Sequence, residues 1–230
     1  PRPEDEPAGG SRPADGAALL VGFDGSQDAA DAIAVAARLM PARHARVAHI
    51  WTAPDAGTSL HRRLAHRAWT REHLERLARR EAAAAAEGVA ANGIALARAA
   101  GWTAEPLVRG RYSEEGSDLA TLAEELRPAA VVVGSRGLGG LRGLLGSVAE
   151  TVVRRSPAPV LVVPPLLTEE RAATSSGPAL VAHDGSAPAV RAHAVAADLL
   201  PGRDHLPAHV ESPMQAGPDD ADVEEVEADA

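Results

Sequence analysis

The chain of 230 residues has no cysteine, no lysine, and only five aromatics: three Trp, one Tyr and one Phe. Without cysteine there are no disulfides, thiolate metal sites, iron–sulfur clusters or cysteine nucleophiles. Without lysine, all 23 positive residues are arginine, so the lysine of a Walker-type phosphate loop and the amine needed for Schiff-base chemistry are both missing. No run of about 18 apolar residues occurs, so no membrane-spanning helix is expected. Pro1 to Asp15 is acidic and proline-rich and lacks the basic-then-apolar order of a signal peptide, and a cytoplasmic location is the expectation. Of the net charge of −9, all but −1 belongs to the eight acids between Glu211 and Ala230, a stretch without arginine. The body is nearly neutral and carries no basic footprint for nucleic acid.

What the chain does have is an internal repeat. Leu20-Val21-Gly22-Phe23-Asp24-Gly25-Ser26 corresponds to Leu180-Val181-Ala182-His183-Asp184-Gly185-Ser186 at an offset of 160 residues. The same offset pairs Ala34-Val35-Ala36-Ala37 with Ala194-Val195-Ala196-Ala197 and Ala48-His49-Ile50 with Ala208-His209-Val210. The pattern reads as a duplication whose second copy stops early.

Apolar runs alternate with helix-period stretches. Strands are expected at Leu19–Phe23, Val47–Trp51, Trp102–Val108, Ala130–Val133 and Pro159–Val163. Between them, Ser26 reads as the cap of a helix closed by Pro41, with Asp28 and Asp31 in its first turn where the helix dipole favours acids. A long helix is expected from about Leu60 to Ala91 with Gly93 as its stop, then helices at Ser113–Leu126 and Ser147–Arg155. This alternation predicts an α/β fold: a doubly wound, five-stranded parallel sheet, Rossmann-like, with helices on both faces, plus a partial βαβ repeat. The expected organisation is a disordered N-terminus at 1–16, one full domain at 17–165, a polar linker at 166–177, an incomplete second repeat at 178–211 and an acidic disordered tail at 212–230. A βαβ piece of that size cannot bury enough surface to stand alone.

The segment with chemical content is Gly134-Ser135-Arg136-Gly137, the glycine-rich stretch Leu138 to Leu145, and Gly146-Ser147-Val148 opening a helix. Glycines let backbone amides approach an anion, and a helix N-terminus favours phosphate. In an open parallel sheet such a ligand lies beyond the strands' carboxyl ends, at the switch in strand order, where the Asp24 turn also falls. The plainer reading is a glycine-rich loop that packs a tight turn. Arg136 is the loop cation placed to reach a phosphate, or else a solvated arginine. Asp24 could touch a phosphate-held Mg²⁺, or serve only the turn. His49 and His183 read as satisfied rim or core histidines rather than catalytic ones, and no catalytic or metal-ligating residue is assigned.

Phe23-Asp24-Gly25-Ser26, Val131-Val132-Val133-Gly134-Ser135-Arg136-Gly137, and Gly146-Ser147-Val148-Ala149-Glu150 followed by Ser156-Pro157-Ala158-Pro159-Val160-Leu161-Val162-Val163 together resemble the universal stress protein family over about Ala17 to Pro164. In its ATP-binding branch the motif is Gly, two residues, Gly, nine residues, Gly, then Ser or Thr. Gly134, Gly137, Gly146 and Ser147 match in type, with eight residues rather than nine between Gly137 and Gly146. The resemblance implies that Asp24 and Ile50 hold the adenine and its sugar. Val133 and Gly134 would flank base or ribose, and Gly137, Gly146, Ser147 and Val148 would offer N–H or hydroxyl groups to phosphates. It implies an ATP-binding regulatory module of the stress response, with Mg²⁺ as a possible companion. The alternatives are a slow ATP hydrolase or phosphotransferase, and a dimeric interaction protein that binds no nucleotide. The apolar edge strand Val160–Val163 invites a partner strand, and the resemblance implies a homodimer through it.

Overall fold

The computed structural model describes residues 18–41, 43–54, 58–136, 146–174 and 176–209. Gly137, the glycine-rich stretch after it, the N-terminus at 1–16 and the tail at 212–230 lie outside the described residues.

Five strands, β1 (Leu19–Gly22), β2 (His44–Trp51), β3 (Thr103–Gly110), β4 (Val131–Gly134) and β5 (Val160–Val163), form one sheet in the order β3-β2-β1-β4-β5. Every adjacent pair is parallel. The chain winds outward from β1 in one direction, then returns to β1's other side with β4. Helices α1 (Gln27–Leu39) and α3 (Arg71–Ala99) pack together on one face of the sheet, and α4 (Glu115–Leu126) and α5 (Ser147–Arg155) on the other. With both faces covered, β1 is a continuous apolar run rather than an alternation: Leu19, Leu20 and Val21 are all fully buried. Leu20, Ile50, Val131 and Val133 meet Leu119, Leu122 and Val152 on the α4–α5 side. The expected doubly wound sheet is the observed one.

The long helical stretch departs from expectation. It divides into α2 (Ser59–Leu64), a 3-10 turn at Ala65–Arg67 and α3, whose start is capped by Thr70 Oγ1 accepting from the His73 amide at 3.1 Å. Gly93 does not stop α3, which runs through it to Ala99 and ends before Gly101, with φ +91°. Gly93 is glycine for another reason: a Cβ there would lie 2.7 Å from Val47 Cγ1 and 2.8 Å from the Phe23 ring. The helix backbone rests directly on the sheet at that point.

The segment expected as a polar linker contains a further helix, α6 (Thr168–Ala173). The Arg171 guanidinium pairs with the Asp31 carboxylate on α1, which also accepts from Gln27 Nε2 at 2.9 Å. Asp31 is 8% exposed, so what reads as a dipole-complementing acid in the first turns of α1 is a buried anchor.

Among the described residues, those from 178 to 209 belong to a separate compact unit. Its β6 (Ala179–Ala182) and β7 (His205–Ala208) pair in parallel and are joined by α7 (Ala187–Leu199). The turn chemistry matches that of the first unit. Asp184 Oδ1 accepts from the Ser186 amide at 2.9 Å, as Asp24 Oδ1 does from Ser26 at 2.9 Å. Ser186 Oγ caps α7 through the Ala189 amide, as Ser26 Oγ caps α1 through Ala29. No residue of α7 is buried, and Leu180 is 75% exposed.

Candidate functional site

The sheet's change of direction leaves a gap between the carboxyl ends of β1 and β4, and a cavity of about 380 Å³ lies there. Its apolar wall is built by Ala48, Ile50, Leu119, Val133 and Ala149. Asp24, His49 and Glu115 border it on the side of β1, β2 and α4, and Gly134, Arg136, Gly146, Ser147 and Val148 on the side of β4 and α5. Eight of the nine expected site residues therefore meet at one cavity: Asp24, Ile50, Val133, Gly134, Arg136, Gly146, Ser147 and Val148. The ninth, Gly137, lies outside the described residues.

The two described glycines of the motif have different tasks. A Cβ on Gly134 would sit 2.9 Å from the carbonyl carbon and oxygen of Asp28. Only glycine lets β4 end this close to the first turn of α1. Gly146 donates its amide to the Ser135 carbonyl at 2.6 Å, so that N–H is not available to an anion, contrary to the expectation. The amides that remain are those of the first turn of α5. Gly146 as N-cap has no side chain to offer, and no described residue takes the N–H groups of Ser147, Val148 or Ala149. At α1 the corresponding amide of Ala29 is already satisfied by Ser26 Oγ at 3.1 Å. Helix α5 thus presents unclaimed donors and the positive end of its dipole to the cavity.

The other side is acidic. Asp24 is held by the Ser26 amide, and the Nδ1–H of His49 donates to the Phe23 carbonyl at 2.8 Å. That bond fits the reading of a satisfied histidine, yet His49 also borders the cavity. A neutral ring then has Nε2 as an acceptor. Sequence reasoning missed Glu115, which opens α4. Its only local signal was an acid one helical turn before an apolar residue, Leu119. Burial, reinforced by nearby Asp24, pushes the Glu115 carboxyl above its usual range, while His49 and Arg111 act the other way.

The loop before α4 is fixed by Asp118, which is 7% exposed. Its carboxylate accepts from the Tyr112 amide at 3.0 Å, the Ser113 amide at 3.3 Å and the Ser113 hydroxyl at 2.8 Å. Burial disfavours its charge, but these donors outweigh that and hold the carboxyl below the ordinary carboxylate value. They also explain why α4 begins after Ser113 rather than at it: the Ser113 amide and hydroxyl are turned back onto Asp118.

The family model of the universal stress protein family matches residues 18–164. The chain belongs to the universal stress protein family. Among solved structures, a universal stress protein from Archaeoglobus fulgidus DSM 4304 is similar with a TM-score of 0.58 and 20% identity, covering 87% of this chain and 68% of that one. A universal stress protein in complex with cAMP has a TM-score of 0.42 and 23% identity, covering 65% and 98% respectively. One from Archaeoglobus fulgidus in complex with dAMP has a TM-score of 0.42 and 22% identity, covering 64% and 97%. At these identities the likeness is one of fold. No curated protein matches the chain.

Within this universal stress protein, the cavity is lined by the first turn of α5, by Arg136, by the carboxyl groups of Asp24 and Glu115, and by the apolar wall. Among the described residues no group of three or more His, Asp or Glu side chains is placed to hold a metal ion. No helix among them is long and apolar enough to cross a membrane.

Proposed function

We propose that this universal stress protein binds an adenine nucleotide, with ATP as the ligand, and works as a nucleotide-dependent regulatory module of the stress response. One observation carries the reading: the unclaimed first-turn amides of α5 and the apolar wall of Ile50, Leu119 and Val133 face the same cavity. Phosphates suit the amides of Ser147 and Val148, the Ser147 hydroxyl and Arg136. A purine suits the apolar wall, and Asp24 suits the sugar. Mg²⁺ would arrive with the phosphates, and Asp24 is the carboxylate read as able to touch it.

Efficient phosphoryl transfer requires several cationic groups on the γ-phosphate. Arg136 is the sole cation bordering the cavity among the described residues, and the sequence contains no lysine. Binding rather than fast turnover follows. Residues 178–209 are read as the opening of a second copy of the fold, the protein as cytoplasmic, and its assembly as a homodimer. The dimer would form through β5, which sits at the sheet edge with Val160, Leu161 and Val162 half-buried.

The test is to purify the full chain, identify any released ligand by mass spectrometry, and titrate the emptied protein with ATP calorimetrically. An adenine nucleotide in the released material and saturable ATP binding are expected. The absence of both a released nucleotide and binding heat at millimolar ATP would refute the reading. Light scattering at micromolar concentration is expected to give twice the chain mass, and a strict monomer would remove the dimer.

A further inference from the structure

We infer that Glu115 is a further ligand-binding residue of this cavity, accepting a hydrogen bond from a donor on the uncharged, nucleoside half of the ligand. The inference rests on the nucleotide reading above and adds a residue that lies outside the glycine motif.

Glu115 is the first residue of α4, and its neighbour Glu114 is exposed to solvent. Glu115 instead borders the cavity together with Leu119, one turn further along the same stripe. Two other acids, one of α4's first turn and one of its last, have protein partners: Asp118 holds the Tyr112–Ser113 loop, and Glu125 takes both guanidinium nitrogens of Arg109 at 3.1 and 2.8 Å. Glu115 makes no hydrogen bond or ion pair with any described residue. A partly buried carboxyl without a partner is costly. Its displaced pKa, caused by burial and then by Asp24, reflects that cost. A ligand donor would relieve it.

The chemistry of the lining groups indicates what kind of ligand. A compound fitting this cavity presents an anion to the α5 amides and hydrogen-bond donors to the carboxyl groups of Asp24 and Glu115. In an adenine nucleotide, the donors remote from the phosphates are the ribose hydroxyls and the 6-amino group. The ring nitrogens are acceptors and would be repelled by a carboxylate. The two acids also disfavour the reversed pose, with phosphate against Glu115.

The experiment titrates wild type, Glu115→Ala and Glu115→Gln with ATP, 2′,3′-dideoxy-ATP and purine riboside triphosphate, which lacks the 6-amine. Glu115→Ala is expected to weaken ATP by about 10- to 100-fold, the range for a hydrogen bond to a charged group. Glu115→Gln, whose amide oxygen still accepts, should lose less. For one of the two analogues the mutational loss disappears because the donor is already gone, and that analogue identifies the contact. ATP affinity in Glu115→Ala equal to wild type, or the same loss for all three nucleotides, overturns the inference. If wild type binds ATP, Ser147→Pro weakens it and Glu115→Ala does not, only this inference falls. If wild type binds no ATP, the nucleotide reading falls with it.

Discussion

Helix α3 contains two glycines whose replacement by alanine should have opposite effects. Gly88 is exposed, and a Cβ there meets nothing within 4 Å. Gly88→Ala reduces the freedom of the unfolded chain and should stabilise by about 0.5–1 kcal/mol. The same propensity gain applies at Gly93, but there the new methyl would stand 2.7 Å from Val47 Cγ1 and 2.8 and 2.9 Å from two carbons of the Phe23 ring. Neither neighbour can yield cheaply: Val47 is β-branched in a central strand and fully buried, and Phe23 is 4% exposed. Overpacking of this kind costs about 1–3 kcal/mol, which outweighs the propensity term and leaves Gly93→Ala destabilised by roughly 1–2 kcal/mol. The two variants should thus differ by about 1.5–3 kcal/mol. For a chain of this size that corresponds to thermal midpoints roughly 3–12 °C apart. Urea unfolding followed by far-ultraviolet circular dichroism reads the difference directly. Because Phe23 also borders the cavity, Gly93→Ala should disturb ligand binding while Gly88→Ala leaves it alone. Equal stabilisation by both substitutions would refute the claim that α3 rests on the sheet at Gly93.

Ser147 is the first residue of α5, where proline is well tolerated, and the preceding Gly146 has φ −70° and ψ 157°, a conformation a following proline permits. Ser147→Pro should therefore keep its unfolding midpoint yet lose an amide and a hydroxyl from the anion end, weakening ATP about tenfold or more by calorimetry. Asp118→Asn removes a buried carboxylate that holds three donors and should cost about 1–3 kcal/mol at neutral pH. Since the folded pKa of Asp118 lies below its ordinary value of 3.8, its contribution is complete above that value and disappears as pH falls through the folded pKa. The gap in stability between wild type and Asp118→Asn should thus narrow below about pH 4 in acid-unfolding curves. Arg171→Ala leaves the buried Asp31 carboxylate with Gln27 and should destabilise by roughly 1–3 kcal/mol, with faster hydrogen exchange in α6 than in α1.

Much of the architecture is legible in the one-dimensional pattern because its causes are local. Val131-Val132-Val133 is a strand because a β-branched run of that length suits a position buried on both faces. Ser26 starts a helix because its hydroxyl can reach an amide three residues on. Gly146 stands at the N-cap of α5 in the extended conformation that a helix start requires. The Asp-Gly-Ser turn recurs at Asp24 and Asp184 with the same bonds because the same three residues make the same turn. Eight of the residues expected at the site stand near these landmarks and border one cavity.

What the pattern could not convey depends on which distant residue stands opposite. Gly93 looks like a helix stop until Val47 and Phe23 are placed against it. Asp31 looks like an acid favoured by the helix dipole until Arg171, 140 residues away in the chain, reaches it. Glu115 looks like any solvated acid at a helix start until β1 and β2 bring Asp24 and His49 beside it. Composition and periodicity select the elements and their order, because propensity, capping and burial act within a few residues. The partners of a buried charge, and the ligand a cavity can hold, are set by strand order and helix packing, which bring together groups far apart along the chain.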